Sequence, residues 1–423
     1  MTGKPRLSVL VVAAVLATPL AAQQEVCLQT RLDPTVGTRI TVARSLRGRL
    51  LISDGSTTTV ALEERGVETW FDRYVKKSED VYGARRTIVE SQTTRDGRNC
   101  DSGHAGVEMS FDWVSLREFE VSLENRFLPK SRLDRLGDQA ELLHLGLDFP
   151  ALVAAGETVQ IRAGALAVAA FEPEGPPRGE SLSMTLKTTD PKAAVLRVEG
   201  DLSFLGDRTF RGRKVELRHE AKVVLEFHRR EARTTSITVK GKAVPHVPPD
   251  DKSLSGELTL EATFTAKAVD DARTFKAPAP VFRDNLHREH GVDFRLPSFW
   301  IALDESKDGE RLYHDSRTEA IRAFAFEAED SAVDSATPEA HAALIEELEA
   351  SFEDVAVKPA TAPIGRGATF RARGKDDGGL LGARLTIAPG RIFAVTFVLA
   401  AAPTAADQAD FDRLLASLKR APA

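Results

Sequence analysis

KVELRHEAKVVLEF, residues 214–227, is the stretch that decides the fold of the larger part of this 423-residue chain. From Val215 to Phe227 every second side chain is apolar except His219, and charged residues fill the positions between them except Val224. A period of two puts one set of side chains on each face of a β-strand. The pattern therefore predicts an antiparallel sheet that covers a core on one side and meets water on the other.

The same alternation recurs along the first two thirds of the chain. It is clearest in residues 107–113, 118–124 and 257–266. A hairpin dipeptide, Asp96-Gly97, separates strand candidates, and helical spacing is brief, at residues 131–144. Because long strands usually bend, we expect residues 23–276 to form a curved antiparallel sheet or half-barrel, with the helix lying against its face.

Residues 277–285 form an Ala-Pro stretch that is typical of a stiff linker. The pattern of apolar and polar residues changes after it. In the region 286–420 a helix is predicted to begin after an N-cap at Thr337, and a second one after Thr404. Strands are predicted at 366–373, 380–388 and 391–399. Helices that bracket strands predict an α+β class for the protein.

Two stretches of this C-terminal region carry a family resemblance. GVDFRLPSFWIAL, residues 291–303, and GARLTIAPGRIFAVTFVLAAAPTAADQADFDRLLASLK, residues 382–419, resemble the opening and the end of PsbP-like domains. The resemblance implies an α/β/α sandwich that serves binding, docking or assembly, and it carries no catalytic residue across.

Two stretches of the N-terminal region are similar to uncharacterised secreted bacterial proteins rich in β-structure. They are YVKKSEDVYGARRTIVES, residues 74–91, and GLDFPALVAAGETVQI, residues 146–161. Their rhythm also resembles half-barrels of the LolA type, which carry lipoproteins, and that likeness is one of analogy.

The N-terminus has the features of a signal peptide, predicted at residues 1–22. Lys4 and Arg6 precede an apolar run at 7–17, and small residues follow up to Ala22. The run is too short to cross a bilayer, which needs about 20 apolar residues. We therefore expect a periplasmic or secreted protein with no membrane span after cleavage, and an uncleaved membrane anchor is the alternative.

Charge and cysteine content narrow the choice of partners. The net charge is −6 and the basic residues do not cluster in one segment, so nucleic acid is a poor partner. The only two cysteines, Cys27 and Cys100, are predicted to form a disulfide in an oxidising compartment.

Candidate site residues are few. His219 interrupts an apolar strand face, where a lone histidine is usually a core residue but can also line a cavity together with Leu217, Leu225 and Phe227. The pair His287 and His290 lacks metal-ligand spacing and is interpreted as part of a solvated linker. No nucleophile elbow, calcium loop or phosphate loop is present, so no catalytic, metal or cofactor residue is assigned.

These observations favour a non-enzymatic binding or assembly protein of the bacterial cell envelope, with an envelope protein or a lipid as partner. A lipid or lipoprotein carrier with an apolar groove, and an envelope hydrolase with an unrecognised site, remain as alternatives. A closed core would favour the first, an open apolar groove the second, and a polar cleft with a convergent histidine and carboxylate the third.

Overall fold

The computed structural model describes most of the chain after residue 24. The described residues are 25–28, 37–53, 57–76, 82–100, 104–113, 119–123, 142, 145–147, 149–150, 152–188, 190, 192–210, 213–248, 253–269, 282–303, 312–318, 320–374 and 378–421. The predicted signal peptide and nearly all of the helix predicted at 131–144 lie outside these ranges.

The described residues contain 24 strands and three helices. In chain order the strands are β1 (Glu25–Val26), β2 (Gly37–Ser53), β3 (Thr57–Lys76), β4 (Tyr82–Arg95), β5 (Arg98–Asn99), β6 (Glu108–Trp113), β7 (Phe119–Leu123), β8 (Val153–Ala154), β9 (Thr158–Ile161), β10 (Arg178–Leu186), β11 (Val195–Phe210), β12 (Arg213–His228), β13 (Arg233–Pro245), β14 (Leu254–Val269), β15 (Asp284–Glu289), β16 (Val292–Pro297), β17 (Trp300–Ala302), β18 (Leu312–Asp315), β19 (Arg322–Asp330), β20 (Phe352–Ala362), β21 (Gly365–Gly374), β22 (Gly379–Ala388), β23 (Arg391–Leu399) and β24 (Lys419–Arg420). The helices are α1 (Gly164–Phe171), α2 (Pro338–Glu349) and α3 (Ala405–Ser417).

A 12-stranded sheet forms the N-terminal unit. Its strand order is β7-β6-β4-β3-β2-β14-β13-β12-β11-β10-β9, with β5 paired to β4. The neighbouring strands are antiparallel throughout, so the predicted antiparallel sheet is confirmed. The strand that contains the opening stretch is β12, which pairs with β11 from Val195↔His228 to Phe210↔Arg213.

The sheet curls until strands far apart in its order approach each other. Strands β3 and β11 are five steps apart in the sheet, which would be about 24 Å if the sheet were flat. Yet Arg208 of β11 lies 2.9 Å from Glu64 of β3. The inner faces of the long strands consequently meet in one hydrophobic core.

Helix α1 fills the inside of the curl. Its sequence, GALAVAAF, is apolar all round, which is typical of a helix buried on every side. All seven side chains from Ala165 to Phe171 are buried, and the helix packs against β2 and β14. The apolar inner face is therefore covered by the protein's own residues.

The C-terminal unit is built on a seven-stranded sheet with the order β17-β18-β19-β23-β22-β21-β20. One face packs against β16 and α3, through residues such as Phe294 and Phe411 that share a core with Phe324. The other face packs against α2 through Leu344 and Leu348. A three-stranded sheet, β15-β16-β24, thus covers part of the first face.

This arrangement corrects the predicted fold class. The α+β class and the PsbP-like α/β/α sandwich are wrong, because the described chain consists mostly of antiparallel strands and has only three helices. The helix caps at Thr337 and Thr404 were predicted correctly. However, a β-hairpin shares one face of the sheet with α3, where the sandwich requires a layer of helices alone.

The last two residues of the predicted linker belong to a strand. Strand β15 begins at Asp284, inside the range 277–285, and residues 277–281 lie outside the described chain. Ile301 of the C-terminal unit packs in the N-terminal core.

No helix in the described ranges is long and apolar enough to cross a membrane.

Candidate functional site

Three acidic side chains point into the curled sheet from strand β3. Glu64, Glu68 and Asp72 are spaced four residues apart, so strand alternation places all three on the face that also carries Leu62 and Trp70. Their exposed fractions are 6%, 1% and 0%. We call these three residues the inner acidic row.

Each member of the inner acidic row pairs with a different arginine, and each arginine lies on a strand other than β3. The closest contacts are Glu64 with Arg208 at 2.9 Å, Glu68 with Arg44 at 3.7 Å and Asp72 with Arg86 at 2.7 Å. The Asp72 pair is bidentate, with a second bond of 2.8 Å. Buried carboxylates are tolerated because they are paired in this way.

Arg44 links the row to helix α1. Its Nη2 lies 2.5 Å from Glu172, the residue that caps the C-terminal end of the helix in a left-handed conformation with φ 45°. Gly66 leaves room for this arginine, because a Cβ there would approach Arg44 Nε to 2.7 Å. Strand β3, strand β2 and helix α1 are thus held together through one guanidinium group.

Hydrogen bonding around Glu68 is incomplete. Among the described residues, Glu68 Oε1 and Arg44 Nε have no hydrogen-bond partner. Burial raises the pKa of Glu68 to about 7, against the opposing influence of Arg44 and with a further upward push from Glu172. The pKa of Arg44 is also raised, because the carboxylates of Glu172, Glu68 and Glu64 together outweigh its burial. Glu68 is therefore poised to take up a proton near neutral pH while Arg44 stays charged.

Glu64 has the opposite balance. Burial favours its neutral form, but Arg208 and Arg95 more than offset burial and lower its pKa. Glu64 therefore stays ionised where Glu68 titrates, although both lie on the same strand face.

A small cleft opens beside the row. Its lining residues are Arg44, Ser45, Leu46, Glu64, Gly66, Ala170, Phe171, Arg208 and Leu260. The cleft, with its mouth open to solvent, has a volume of about 250 Å³, but its interior has room for about one water molecule. The cleft therefore cannot admit an acyl chain.

The structure places the four candidate cavity-lining residues in the packed core. His219, Leu217, Leu225 and Phe227 are at most 4% exposed, and none is among the lining residues of the cleft. The ring of His219 stacks on Phe204 with centroids 4.2 Å apart. Burial, together with the charge of Arg208, lowers the pKa of His219 to about 3.

His219 therefore remains neutral inside the protein at ordinary pH. Its Nδ1 atom has no hydrogen-bond partner within the described part of the chain, and no carboxylate there is bonded to it. A general base needs such an orienting partner or a pKa near the working pH, and His219 has neither.

The predicted disulfide is not formed. Cys27 is exposed and Cys100 is half-buried, and no bond joins them. Cys27 follows the short strand β1, which pairs with β8, whereas Cys100 follows β5 at the end of the β4 hairpin. The prediction depended only on the number of cysteines and on the oxidising compartment. The strand pairing places the two cysteines after different elements.

Of the two histidines assigned to a solvated linker, His287 is half-buried and His290 is exposed. The ring of His287 contacts the rings of Phe294 and Tyr313, at centroid distances of 5.5 and 4.8 Å. His290 Nε2 lies 3.2 Å from the carbonyl oxygen of Phe326. Among the described residues, no three His, Cys, Asp or Glu side chains are grouped to hold a metal.

The inner acidic row was not predicted, although the sequence carries a signal for it. In VALEERGVETWFDRYV, residues 60–75, the apolar residues Val60, Leu62 and Trp70 share their alternation with Glu64, Glu68 and Asp72. Acidic residues in register with a core face indicate buried charge. Their partners could not be read in the same way, because they lie on other strands.

The comparisons with known proteins do not identify the chain. No protein-family model and no curated protein matches it. Among solved structures it is similar to Salmonella typhi OmpF in complex with daunomycin, at 7% identity and a TM-score of 0.15, over 89% of this chain and 99% of that one. It is also similar to a TodX deltaS2S3 mutant, a monoaromatic hydrocarbon channel, at 11% identity and a TM-score of 0.12, over 87% and 91%. TM-scores this low support no conclusion about fold or function.

Proposed function

We propose that this chain is an exported, non-enzymatic binding or assembly protein of the bacterial cell envelope. Export rests on the signal-peptide pattern of residues 1–22, which favours a periplasmic or secreted location. Its partner is an envelope protein or a lipid, which it meets through its outer surface.

The observation that carries this proposal is the packed interior of the curled sheet in the part of the chain that the structure describes. Helix α1 covers the apolar inner face, and the cleft beside it has room for about one water. A carrier of lipid or lipoprotein acyl chains needs an open apolar groove, and pockets for ligands of drug size have volumes of about 300–1,000 Å³. The packing of the described inner residues supports a role for the surface over a role for an internal cavity.

The environment of His219 argues against the hydrolase alternative. Hydrolysis by general base catalysis needs a titratable histidine that can reach substrate and is oriented by a hydrogen-bonded partner. His219 instead lies against Phe204 and Phe171, with its pKa lowered to about 3. Within the described chain, the inner acidic row pairs with arginines and not with this histidine.

A substitution at Leu217 tests the proposal. Leu217 is 1% exposed on the inner face of β12, so Leu217→Asp buries a charge without a partner and should unfold the N-terminal unit. The matched control is Val224→Asp, on the outer face of the same strand, which should keep the fold. Circular dichroism measures both. A folded Leu217→Asp protein that has lost a bound lipid would contradict the proposal and favour the carrier.

Native mass spectrometry of protein purified from its own envelope gives an independent test. We expect the mass of the polypeptide without an enclosed lipid, and an unchanged unfolding curve after solvent extraction. A lipid bound in fixed stoichiometry, whose extraction empties the interior, would contradict the proposal.

A further inference from the structure

A pocket with a basic lining lies at one end of the curled sheet. The loop that precedes β11 and the turn that joins β12 to β13 meet there, and Arg229 N donates a hydrogen bond of 2.9 Å to Ala194 O. The pocket encloses about 790 Å³, much of it open to solvent. Its lining residues are Lys192, Ala193, Ala194, His228, Arg229 and Arg230, and we call it the end pocket.

The cations of the end pocket are not neutralised by the protein. Lys192, Arg229 and Arg230 are exposed, and none of them forms an ion pair with another described residue. Lysines elsewhere on the same sheet are paired across strands, as in Lys240 with Glu261 at 2.8 Å and Lys214 with Asp207 at 3.0 Å. In a chain with a net charge of −6, these three neighbouring cations form a local excess of positive charge.

The two acidic side chains nearest to these cations in sequence are already engaged. Glu231 is ion-paired with Arg233 and lies 3.4 Å from His228 Nδ1. Asp190 Oδ1 accepts a hydrogen bond of 2.8 Å from the backbone N–H of Lys192, which shapes the loop. Neither carboxylate therefore turns the local charge of the pocket negative.

The backbone around the pocket is held in place before any ligand arrives. Ala232 N donates to Arg229 O at 3.2 Å, and the turn closes with Ala232 in a left-handed conformation at φ 45°. The first pair of strand β11, Val195↔His228, fixes the other side. A preformed site loses less entropy on binding than a flexible one.

We propose that the end pocket binds a phosphate-bearing ligand. Guanidinium groups match phosphate oxygens with paired hydrogen bonds, and the lysine adds a mobile positive charge. A lipid headgroup and a soluble phosphate ester share this chemistry. Val195, 43% exposed beside the pocket, adds an apolar contact that a lipid can use. The inference does not depend on the proposed scaffold role, because the pocket lies outside the filled interior.

Neutral variants of equal length test the site. The variant R229Q/R230Q removes two cations but keeps the backbone N–H that bonds to Ala194. The control K240Q/K242Q removes two lysines from ion pairs on the outer face. Circular dichroism should show that both are folded. The probes are inorganic phosphate and glycerol 3-phosphate, followed by calorimetry, and vesicles of phosphatidylcholine with or without phosphatidylglycerol, followed by co-sedimentation.

We expect the unmodified protein to bind at least one of these probes, and R229Q/R230Q to bind it about tenfold more weakly or worse. The control should bind as the unmodified protein does. Loss of vesicle binding alone identifies a lipid headgroup, and loss of glycerol 3-phosphate binding alone identifies a soluble ester. Equal binding by the protein and R229Q/R230Q, equal loss in the control, or no binding to any probe overturns the proposal.

Discussion

Arg208 Nη2 lies 2.9 Å from both carboxylate oxygens of Glu64, and the two residues are 144 positions apart in the chain. The pair joins strands that are five steps apart in the sheet order, so it can form only when the sheet has curled. Both side chains are less than 10% exposed, which makes the contact part of the interior. The presence of this ion pair therefore shows that the sheet of the N-terminal unit has curled.

Arg208→Met should destabilise the N-terminal unit strongly. Glu64 would keep only the half-exposed Arg95 as a partner, and breaking a buried pair costs about 3–5 kcal/mol. Denaturant unfolding measures the change. The control is Arg178→Met, which breaks pairs made by a side chain that is 53% exposed and should cost less than about 1 kcal/mol. Losses of similar size in the two variants would contradict the structural role of Arg208.

The unmodified protein should become less stable as the pH rises, because Glu68 ionises inside the fold. Glu68→Gln should remove this dependence on pH. The pKa of Glu68 is raised from 4.5 to about 7 in the folded protein, so its contribution is greatest below pH 4.5 and falls as the pH approaches 7. Between roughly pH 5 and pH 8 the unmodified protein should lose about 2 kcal/mol relative to the variant. Urea titrations at the two pH values measure this difference. A difference that does not change with pH would mean that Glu68 is ionised throughout.

The unmodified protein should also become less stable as the pH falls, because His219 resists protonation inside the fold. His219→Leu should remove this second dependence on pH. The pKa of His219 is lowered from 6.5 to about 3, so its contribution is complete above pH 6.5 and is lost as the pH falls towards 3. From pH 7 to pH 5 the unmodified protein should lose about 2 kcal/mol relative to the variant. The experiment compares thermal unfolding of the two proteins across this range. Parallel curves would show that His219 is protonated as easily in the folded protein as in the unfolded chain.

Arg322→Met should destabilise the C-terminal unit. Arg322 is ion-paired with Asp315, Asp407 and Asp410, and so it ties strands β18 and β19 to helix α3. Asp315 is 2% exposed, and the loss of one of its two arginines should cost about 3 kcal/mol. Arg413→Met, at an exposed position on the same helix, is the control and should have little effect. Chemical unfolding followed by tryptophan fluorescence reports the change, since Trp300 lies 5.2 Å from the Arg322 guanidinium.

Local signals in the sequence predicted the elements well where the chain meets water on one side. The predicted strand at 391–399 is β23, and the predicted N-cap Thr404 bonds to Asp407 in a capping box. Strand alternation around Leu217 likewise predicted β12. Each of these features depends on neighbours in sequence, which a single chain displays.

The candidate site depends on contacts that no local pattern contains. Helix α1 has no polar face and no side-chain N-cap, so its eight residues show neither helical spacing nor a start signal. The partner of Glu64 lies on another strand, and its identity follows from strand order rather than from spacing. The cover of the C-terminal sheet by a β-hairpin was missed for the same reason, since β15 and β16 look like a linker and a short strand.

The pairing of β2 with β14 has a consequence for how this chain reaches its folded state. Gly37 pairs with Val269, so the ladder at the centre of the large sheet joins nearly the first and last described residues of the N-terminal unit. The chain is synthesised from its N-terminus, so one edge of β2 stays unpaired until some 230 further residues have been made. Folds dominated by such distant pairings form slowly, and an unpaired edge invites association with other chains. The nascent protein therefore needs to be kept apart from its neighbours until β14 arrives, and late truncations should be more prone to aggregation than unfolding of the complete molecule would suggest.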